Sequence, residues 1–356
     1  MRKPEHYGGT GFVCFGVRIP APIAGLIAWA AQFIDDNDHM RIVPVGGKVI
    51  VPIMTAHDPF NLKIILTSFI LDVWSFFHFP GGHPEASTFM EKMRCLKNGP
   101  LVRAMVKHAL RLKAEPIGPY FAGAVCHLIA DSFPHDGFSG LYSRLNRIKN
   151  SSLRIETESG EVKRHIWEKF GRFMRRKVRD GANIVVSSAA EIAAPIGHGP
   201  VFSFPDEPYL SLFECETEDG YKISRNNTEY FLEAFQCLYG FLIEFAKDNP
   251  LCGQSIEPVP WNSLSVKIRE ILEQNGSLEE RLTRWEKATA SGELFPPARL
   301  AHYSPTGWSP HKIPYKVAKG IPIETLDSLL FIDAVREYKR LFWEEMIKQG
   351  FIAKAS

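Results

Sequence analysis

His127, Asp131 and His135 stand four residues apart in Cys126-His127-Leu128-Ile129-Ala130-Asp131-Ser132-Phe133-Pro134-His135-Asp136-Gly137, within an apolar segment that begins at Phe121. Imidazole and carboxylate are ligand types that hold divalent transition metals. On a helix each step of four residues advances about 6 Å and turns about 40°, so neighbouring members of the trio share a face while the outer two lie about 12 Å apart. One ion cannot reach all three. The spacing suits Asp131 as a bridging carboxylate, with His127 and His135 each helping to hold one ion of a multinuclear centre. Pro134 cannot donate the helical bond to Ala130, so it bends or ends the helix and leaves His135 on the following turn, reaching back. Burying an unpaired carboxylate in such surroundings is costly unless a cation or hydrogen bonds compensate it, which favours metal over a plain core pair.

The elements that must position these groups are mostly helical. Pro20 to Asp36 carries a broad apolar face (Ile23, Leu26, Ile27, Ala30, Ala31, Phe33, Ile34) and ends in Asp35-Asp36-Asn37-Asp38. Acids at a helix C-terminus face the unfavourable end of the dipole, which leaves two readings of this run, a ligand position or an exposed acidic turn. Arg41 to Pro52 alternates around Gly46-Gly47 as a hairpin. The apolar run Asn61 to Phe77, helix or strand by periodicity, closes on Phe77-His78-Phe79-Pro80-Gly81-Gly82, which puts His78 where buried structure becomes a turn. Glu85–Leu96, Leu101–Lys113 and Pro119–Phe133 read as three successive helices.

Beyond a polar loop or small hairpin from Ser143 to Gly160, Ile166 to Val178 reads as a basic helix with a cationic stripe at Lys169, Arg172, Arg176 and Arg179. The stripe suits a phosphate-bearing substrate or a solvated face, and it lacks the interleaved aromatics of a nucleic-acid stacking surface. Alanine-rich Val185–Ala194 precedes His198, whose small flexible neighbours allow close backbone approach, as at a ligand site or equally in a plain turn. Leu210 to Ile223 reads as a hairpin across Glu218-Asp219-Gly220, and Asn227 as the cap of a helix from Thr228 to Lys247. Two further helices (Trp261–Gln274 and Leu278–Ala288), a Pro/Gly-rich stretch from Ser291 to Gly320 and a final helix from Ile323 to Lys348 complete the chain. The expectation is a mainly α protein with one or two small β-hairpins. Its metal-binding helical domain spans residues 1–250, and the C-terminal helices and long loop of residues 251–356 pack on that same domain.

Bulk properties exclude several classes. The chain of 356 residues is 45% hydrophobic and has a formal net charge of +2, which is ordinary for a globular protein and gives no general affinity for polyanions. Six scattered cysteines without a Cys-x-x-Cys pair fit a reducing compartment better than a disulfide framework. The N-terminus lacks the apolar core of a secretory signal, and no apolar run approaches the ~20 residues that span a bilayer. These features lead to the expectation of a cytoplasmic protein without a membrane span. No internal repeat, Gly-x-Gly-x-x-Gly or P-loop pattern is present.

Taken in order, His6, Asp35, His78, His127-x3-Asp131-x3-His135 and His198 resemble the ligands of the zinc-dependent phospholipase C and single-strand nuclease superfamily. The His-x3-Asp-x3-His spacing is most similar to its heterokaryon-incompatibility C branch. The whole chain also resembles an uncharacterised bacterial family of unknown function. The motifs that carry this second likeness are Ala-Gln-Phe-Ile-Asp-Asp, Phe-His-Phe-Pro-Gly, His-Leu-Ile-Ala-Asp-Ser-Phe-Pro-His-Asp-Gly-Phe-Ser-Gly and Gly-His-Gly-Pro.

The first resemblance implies a zinc-phospholipase-C-like helical bundle in which Asp35, His78, His127 and Asp131 hold one metal. His135 and His198 hold a second, and His6 with the far side of Asp131 holds a third. Two positions differ from those enzymes. Their N-terminal Trp supplies an amine ligand, whereas the first Trp here is Trp29, and their later His-x3-Glu pair is matched here by His198 and Phe202, with Asp206 and Glu207 the next acids. The implied function is hydrolysis of a small phosphorylated substrate by a metal-activated water, with Asp131 and His135 as the candidate catalytic residues. Zinc is the expected ion, with manganese or iron as other choices. The alternative is a non-catalytic protein whose ion is structural. A third reading takes His57-Asp58 or His135-Asp136 as the doublet of another metal phosphohydrolase class.

Overall fold

Small residues decide how closely the two principal helices approach, and that approach builds the site. The computed structural model of the chain describes residues 1–38, 42–45, 47–56, 71–141, 143–149, 152–157, 201, 203–253 and 256–353. The basic helix and alanine-rich helix expected between 161 and 200, His198, Phe202, the His57-Asp58 doublet and most of the apolar run after Asn61 lie outside these residues.

A π-helical turn, Pro4–Gly9, runs into α1 (Thr10–Gly16), followed by α2 (Ala21–Asp36). β1 (Val43–Val45) and β2 (Lys48–Ile50) form the expected antiparallel hairpin, with Val43 opposite Ile50. A second π-helical segment, Leu71–His78, delivers His78 at its end. Then come α3 (Phe89–Lys92), α4 (Pro100–Leu112) and α5 (Gly118–Ser132). β3 (Arg154–Glu156), β4 (Leu212–Glu216) and β5 (Lys222–Arg225) make an antiparallel sheet in that order. The chain closes with α6 (Asn227–Ala246), α7 (Trp261–Leu272), α8 (Leu278–Ala290), α9 (Ile313–Ala318) and α10 (Asp327–Lys348). The protein is mainly helical with two small antiparallel sheets.

Several expectations change in detail: α9 lies within the Ser291–Gly320 stretch expected to be irregular, and β3 pairs with β4 rather than within its own polar stretch. The helix expected over Glu85–Leu96 is confined to Phe89–Lys92, started by a capping box between Thr88 and Glu91. Past it, backbone groups are committed to distant partners: the Gly82 amide donates to the Arg94 carbonyl at 2.9 Å, and the Cys95 amide to the Phe138 carbonyl at 2.7 Å. At α6 the cap is Asn226, whose side chain accepts from the Glu229 amide, leaving Asn227 for another task described below.

Every residue of α5 is buried, so it has no solvent face and packs on all sides against other elements. α2 lies against it through Ile27, Ala30 and Ala31, all fully buried. The closest point is Gly123. A Cβ there would lie 2.5 Å from both Ala30 Cβ and the Ile27 carbonyl, so only glycine permits the crossing. The main core includes residues of α1, α2, α4, α5, α6, α7, α8 and α10, among them Phe12, Phe33, Phe121, Phe235, Leu264, Trp285 and Phe342. No helix among the described residues is long and apolar enough to cross a membrane. All six cysteines are free thiols.

Candidate metal centre

Asp131 lies at the C-terminal end of α5, only 1% exposed, and its two carboxylate oxygens face different groups. Oδ2 is 3.0 Å from His127 Nε2 and 3.1 Å from His78 Nδ1. Asp35, at the end of α2, adds Oδ1 at 3.8 Å from His127 Nε2 and 3.7 Å from His78 Nδ1. The acid at the unfavourable end of α2 therefore faces two imidazoles. Its neighbour Asp36 is occupied otherwise, accepting from Tyr303 at 2.6 Å and from Gln32 at 3.0 Å.

Backbone carbonyls fix the proton positions on this side. His127 Nδ1 lies 2.8 Å from the Ala31 carbonyl and His78 Nε2 2.9 Å from the Thr55 carbonyl. A carbonyl only accepts, so each of these nitrogens carries the hydrogen. The other nitrogens, His127 Nε2 and His78 Nδ1, lie 3.1 Å apart, and in neutral rings they direct lone pairs at one another and at two carboxylates. That set of acceptors needs a cation between them, either a proton on an imidazole or a metal ion. Thr55 is itself fixed, its hydroxyl donating to the Ile34 carbonyl at 2.8 Å.

On the Oδ1 side, His6 Nε2 lies 3.1 Å from Asp131 and 3.8 Å from Asp35 Oδ2. The His6 ring stacks on His127 with centroids 4.1 Å apart, and neither of its nitrogens makes a hydrogen bond among the described residues. The α-amino group of Met1 contacts Asp131 Oδ1 and lies 3.2 Å from Asp206 Oδ1. His135, on the turn after α5, donates from Nδ1 to the His78 carbonyl at 2.6 Å. Its Nε2 is 3.5 Å from Asp206 Oδ1 and its Nδ1 3.8 Å from Asp131 Oδ2. Phe79 stacks on its ring at 4.0 Å.

The electrostatics follow from burial and proximity. Burial alone lowers the Met1 amine, but the Asp131 and Asp206 carboxylates raise it to about 10. Burial also works against the Asp131 anion, yet the Met1 amine, His127, His135 and His6 hold it well below the usual carboxylate range. Burial raises Asp35 to about 6, opposed by His127 and His78. His127 loses basicity by burial and regains more from Asp131 and Asp35, a net rise. Burial takes His6 down to about 3 and His135 to about 4, so both are neutral rings with a lone pair to give.

Of the residues expected from sequence, His6, Asp35, His78, His127, Asp131 and His135 converge. His6, Asp35, His127 and Asp131 each present a ligand atom within 4.8 Å of the others. This buried group can hold a metal ion, and its mixed imidazole and carboxylate donors suit one. Asp136 is used elsewhere, its Oδ1 accepting the Lys97 amide at 3.0 Å. Two contributors were not read as ligands from sequence. The Met1 amine carries no side-chain signature, and Asp206 stood out only as the first acid after His198.

A second set of charges lies behind the Oδ1 side. Arg281 of α8, 2% exposed, reaches Glu5 and Glu207 at 2.8 Å each, and Arg2 reaches Glu207 at 2.8 Å. Glu5 precedes His6 and Glu207 follows Asp206. The π-helical turn rests directly on α8, since a Cβ on Gly8 would lie 2.7 Å from Trp285 Cβ.

The chain belongs to a family of unknown function (DUF6765), whose model matches residues 1–346. That agrees with the family likeness read from the motifs. No curated protein and no solved structure matches the chain.

Proposed function

We propose that the chain is a metal-dependent hydrolase of small phosphoesters, built on two or three ions around Asp131. The observation that carries the reading is the facing set of His78 Nδ1, His127 Nε2, Asp35 Oδ1 and Asp131 Oδ2, in which the opposite ring nitrogens keep their hydrogens and donate to the carbonyls of Thr55 and Ala31. Divalent ions in such a centre supply Lewis acidity and lower the pKa of a bound water. Zinc suits the donors, and manganese or iron are the other candidates.

The residues divide the work. Asp131 would serve both sides of the centre, with His127, His78 and Asp35 holding an ion on one and His6, His135 and Asp206 on the other. Asp35 is 30% exposed at its side chain, whereas Asp131 is 2% and His6 and His127 are fully enclosed. A substrate would therefore enter over Asp35, and the apolar walls keep bulk water from the inner ligands. Phosphoesters are proposed as the substrate class from the order of these residues along the sequence alone.

A structural ion is the second reading, favoured by the complete burial of His6 and His127. Elemental analysis of unchelated protein beside Asp131→Ala, with a phosphodiester screen, separates the two. Two or more metal equivalents and hydrolysis, both lost in Asp131→Ala while the helical circular dichroism persists, are expected. One equivalent, no hydrolysis and a sharp fall in melting temperature on chelation would establish the structural role instead.

A further inference from the structure

Two side chains outside the ligand set join the turns that carry His135 and Asp206. Arg225, at the end of β5, is 5% exposed and makes no ion pair among the described residues. Its guanidinium donates to the Pro134 carbonyl at 2.5 Å and the Phe133 carbonyl at 3.3 Å, on the turn bearing His135. Asn227, fully buried, donates to the Phe204 carbonyl at 2.8 Å and the Glu207 carbonyl at 2.9 Å, either side of Asp206. The two are joined, Arg225 Nε donating to Asn227 Oδ1 at 3.2 Å. A single hydrogen-bonded bracket thus spans both turns, and the gap it fixes is the 3.5 Å between His135 Nε2 and Asp206 Oδ1.

We infer that Arg225 and Asn227 are positioning residues for the ion on the His135 and Asp206 side of Asp131, setting the spacing of its ligands without touching it. This rests on the metal-centre reading above. The chemistry suits the task. A planar guanidinium serves several carbonyls in one fixed geometry, which an ammonium cannot do. A carboxamide supplies both the donors for one turn and the acceptor for the arginine. The rings of His78 and His127 have no part in the bracket, being fixed by Thr55 and Ala31; the one link across is the His78 carbonyl, which accepts from His135.

The test is titration of the metal-stripped protein with zinc, and separately with manganese, in wild type, Asn227→Ala and Arg225→Lys. Melting temperatures of the stripped proteins and hydrolysis of a chromogenic phosphodiester accompany it. Loss of outer-shell support costs roughly tenfold to a hundredfold in metal affinity. Both variants are expected to weaken one equivalent by that factor and leave the tightest unchanged. Equal weakening of all equivalents, or none in a folded variant, overturns the inference, as do fewer than two equivalents in wild type. Two equivalents without hydrolysis would refute the hydrolase and leave the bracket standing. Wild-type titration in both variants would refute the bracket and leave the hydrolase standing.

Discussion

The two sides of Asp131 are built by different physics. On the Oδ2 side, α2 and α5 meet at Gly123, and the rings of His127 and His78 donate to the backbone carbonyls of Ala31 and Thr55. Those partners are neutral, and Ala31 comes with the helix crossing, while Thr55 is fixed to α2 through the Ile34 carbonyl. On the other side, His6 and the Met1 amine face Oδ1, and His135 and Asp206 stand beside them on two loops, His135 Nδ1 lying 3.8 Å from Oδ2. Charge has the larger part in holding this side, through Arg281 between Glu5 and Glu207 and Arg225 over the turn carbonyls, while the His78 carbonyl accepts from His135. A site fixed by packing tolerates loss of any one hydrogen bond better than a site fixed by buried ions, where one deletion strands a charge.

The largest effect short of removing Asp131 itself should come from Arg281→Met. Glu5 is 2% exposed, and its Oε2 has no hydrogen-bond partner among the described residues, so removing the guanidinium leaves a buried uncompensated carboxylate. A loss of about 3–5 kcal/mol is expected in denaturant unfolding. Glu5→Gln in the same chain should recover part of it. If the two sides are separately built, the variant keeps one tight metal equivalent at low temperature. Loss of all metal at once would break the distinction.

This difference also explains what was legible in the sequence. The His127-x3-Asp131 frame is a local pattern on one helix, so spacing alone predicts that the pair shares a face, and the odd acid at the end of α2 marked Asp35. His135 could be placed on the turn because Pro134 has no amide to donate. The Oδ1 side depends on contacts across long stretches of chain. Nothing local in Ser224-Arg225-Asn226-Asn227 indicates that the second asparagine holds the Asp206 turn while the first caps α6, because both types suit a cap. Arg281 falls inside the helix expected over Leu278–Ala288, and nothing local sets it apart from the other charges there. The helix expected over Glu85–Leu96 stopped short for a similar reason: propensity continues, but the backbone of Arg94 and Cys95 bonds to Gly82 and Phe138.

On the Oδ2 side the corresponding change is Gly123→Ala. The added methyl meets the Ile27 carbonyl and Ala30 Cβ at 2.5 Å, so backbone has to move. Overpacking of this kind costs about 1–3 kcal/mol, measured by chemical denaturation. Spreading α2 from α5 lengthens the bond from His127 to Ala31, so the equivalent held on the Oδ2 side should weaken while the other keeps its affinity. That is the mirror image of the Arg225 and Asn227 variants. If Gly123→Ala weakens only the Oδ1 side, the division drawn here is wrong.

A reference far from both sides calibrates these values. Glu345 on α10 accepts from His108 at 3.1 Å, Lys348 at 3.0 Å and Gln349 at 2.9 Å. Burial opposes its anion, but the Gln349, Lys348 and His108 donors win and take the carboxyl from 4.5 down to about 2. A group depressed in the folded state binds its proton more readily when unfolded, so its contribution is whole above the unfolded value and fades as pH falls towards the folded one. Wild type should therefore exceed Glu345→Gln by roughly 1–2 kcal/mol at pH 6, with the gap closing between about pH 4.5 and 2. Metal uptake by Glu345→Gln should match wild type throughout the range where both fold. A metal defect in that variant would mean that global stability, rather than the local build of either side, governs ion affinity, and the contrast between the two sides of Asp131 would lose its meaning.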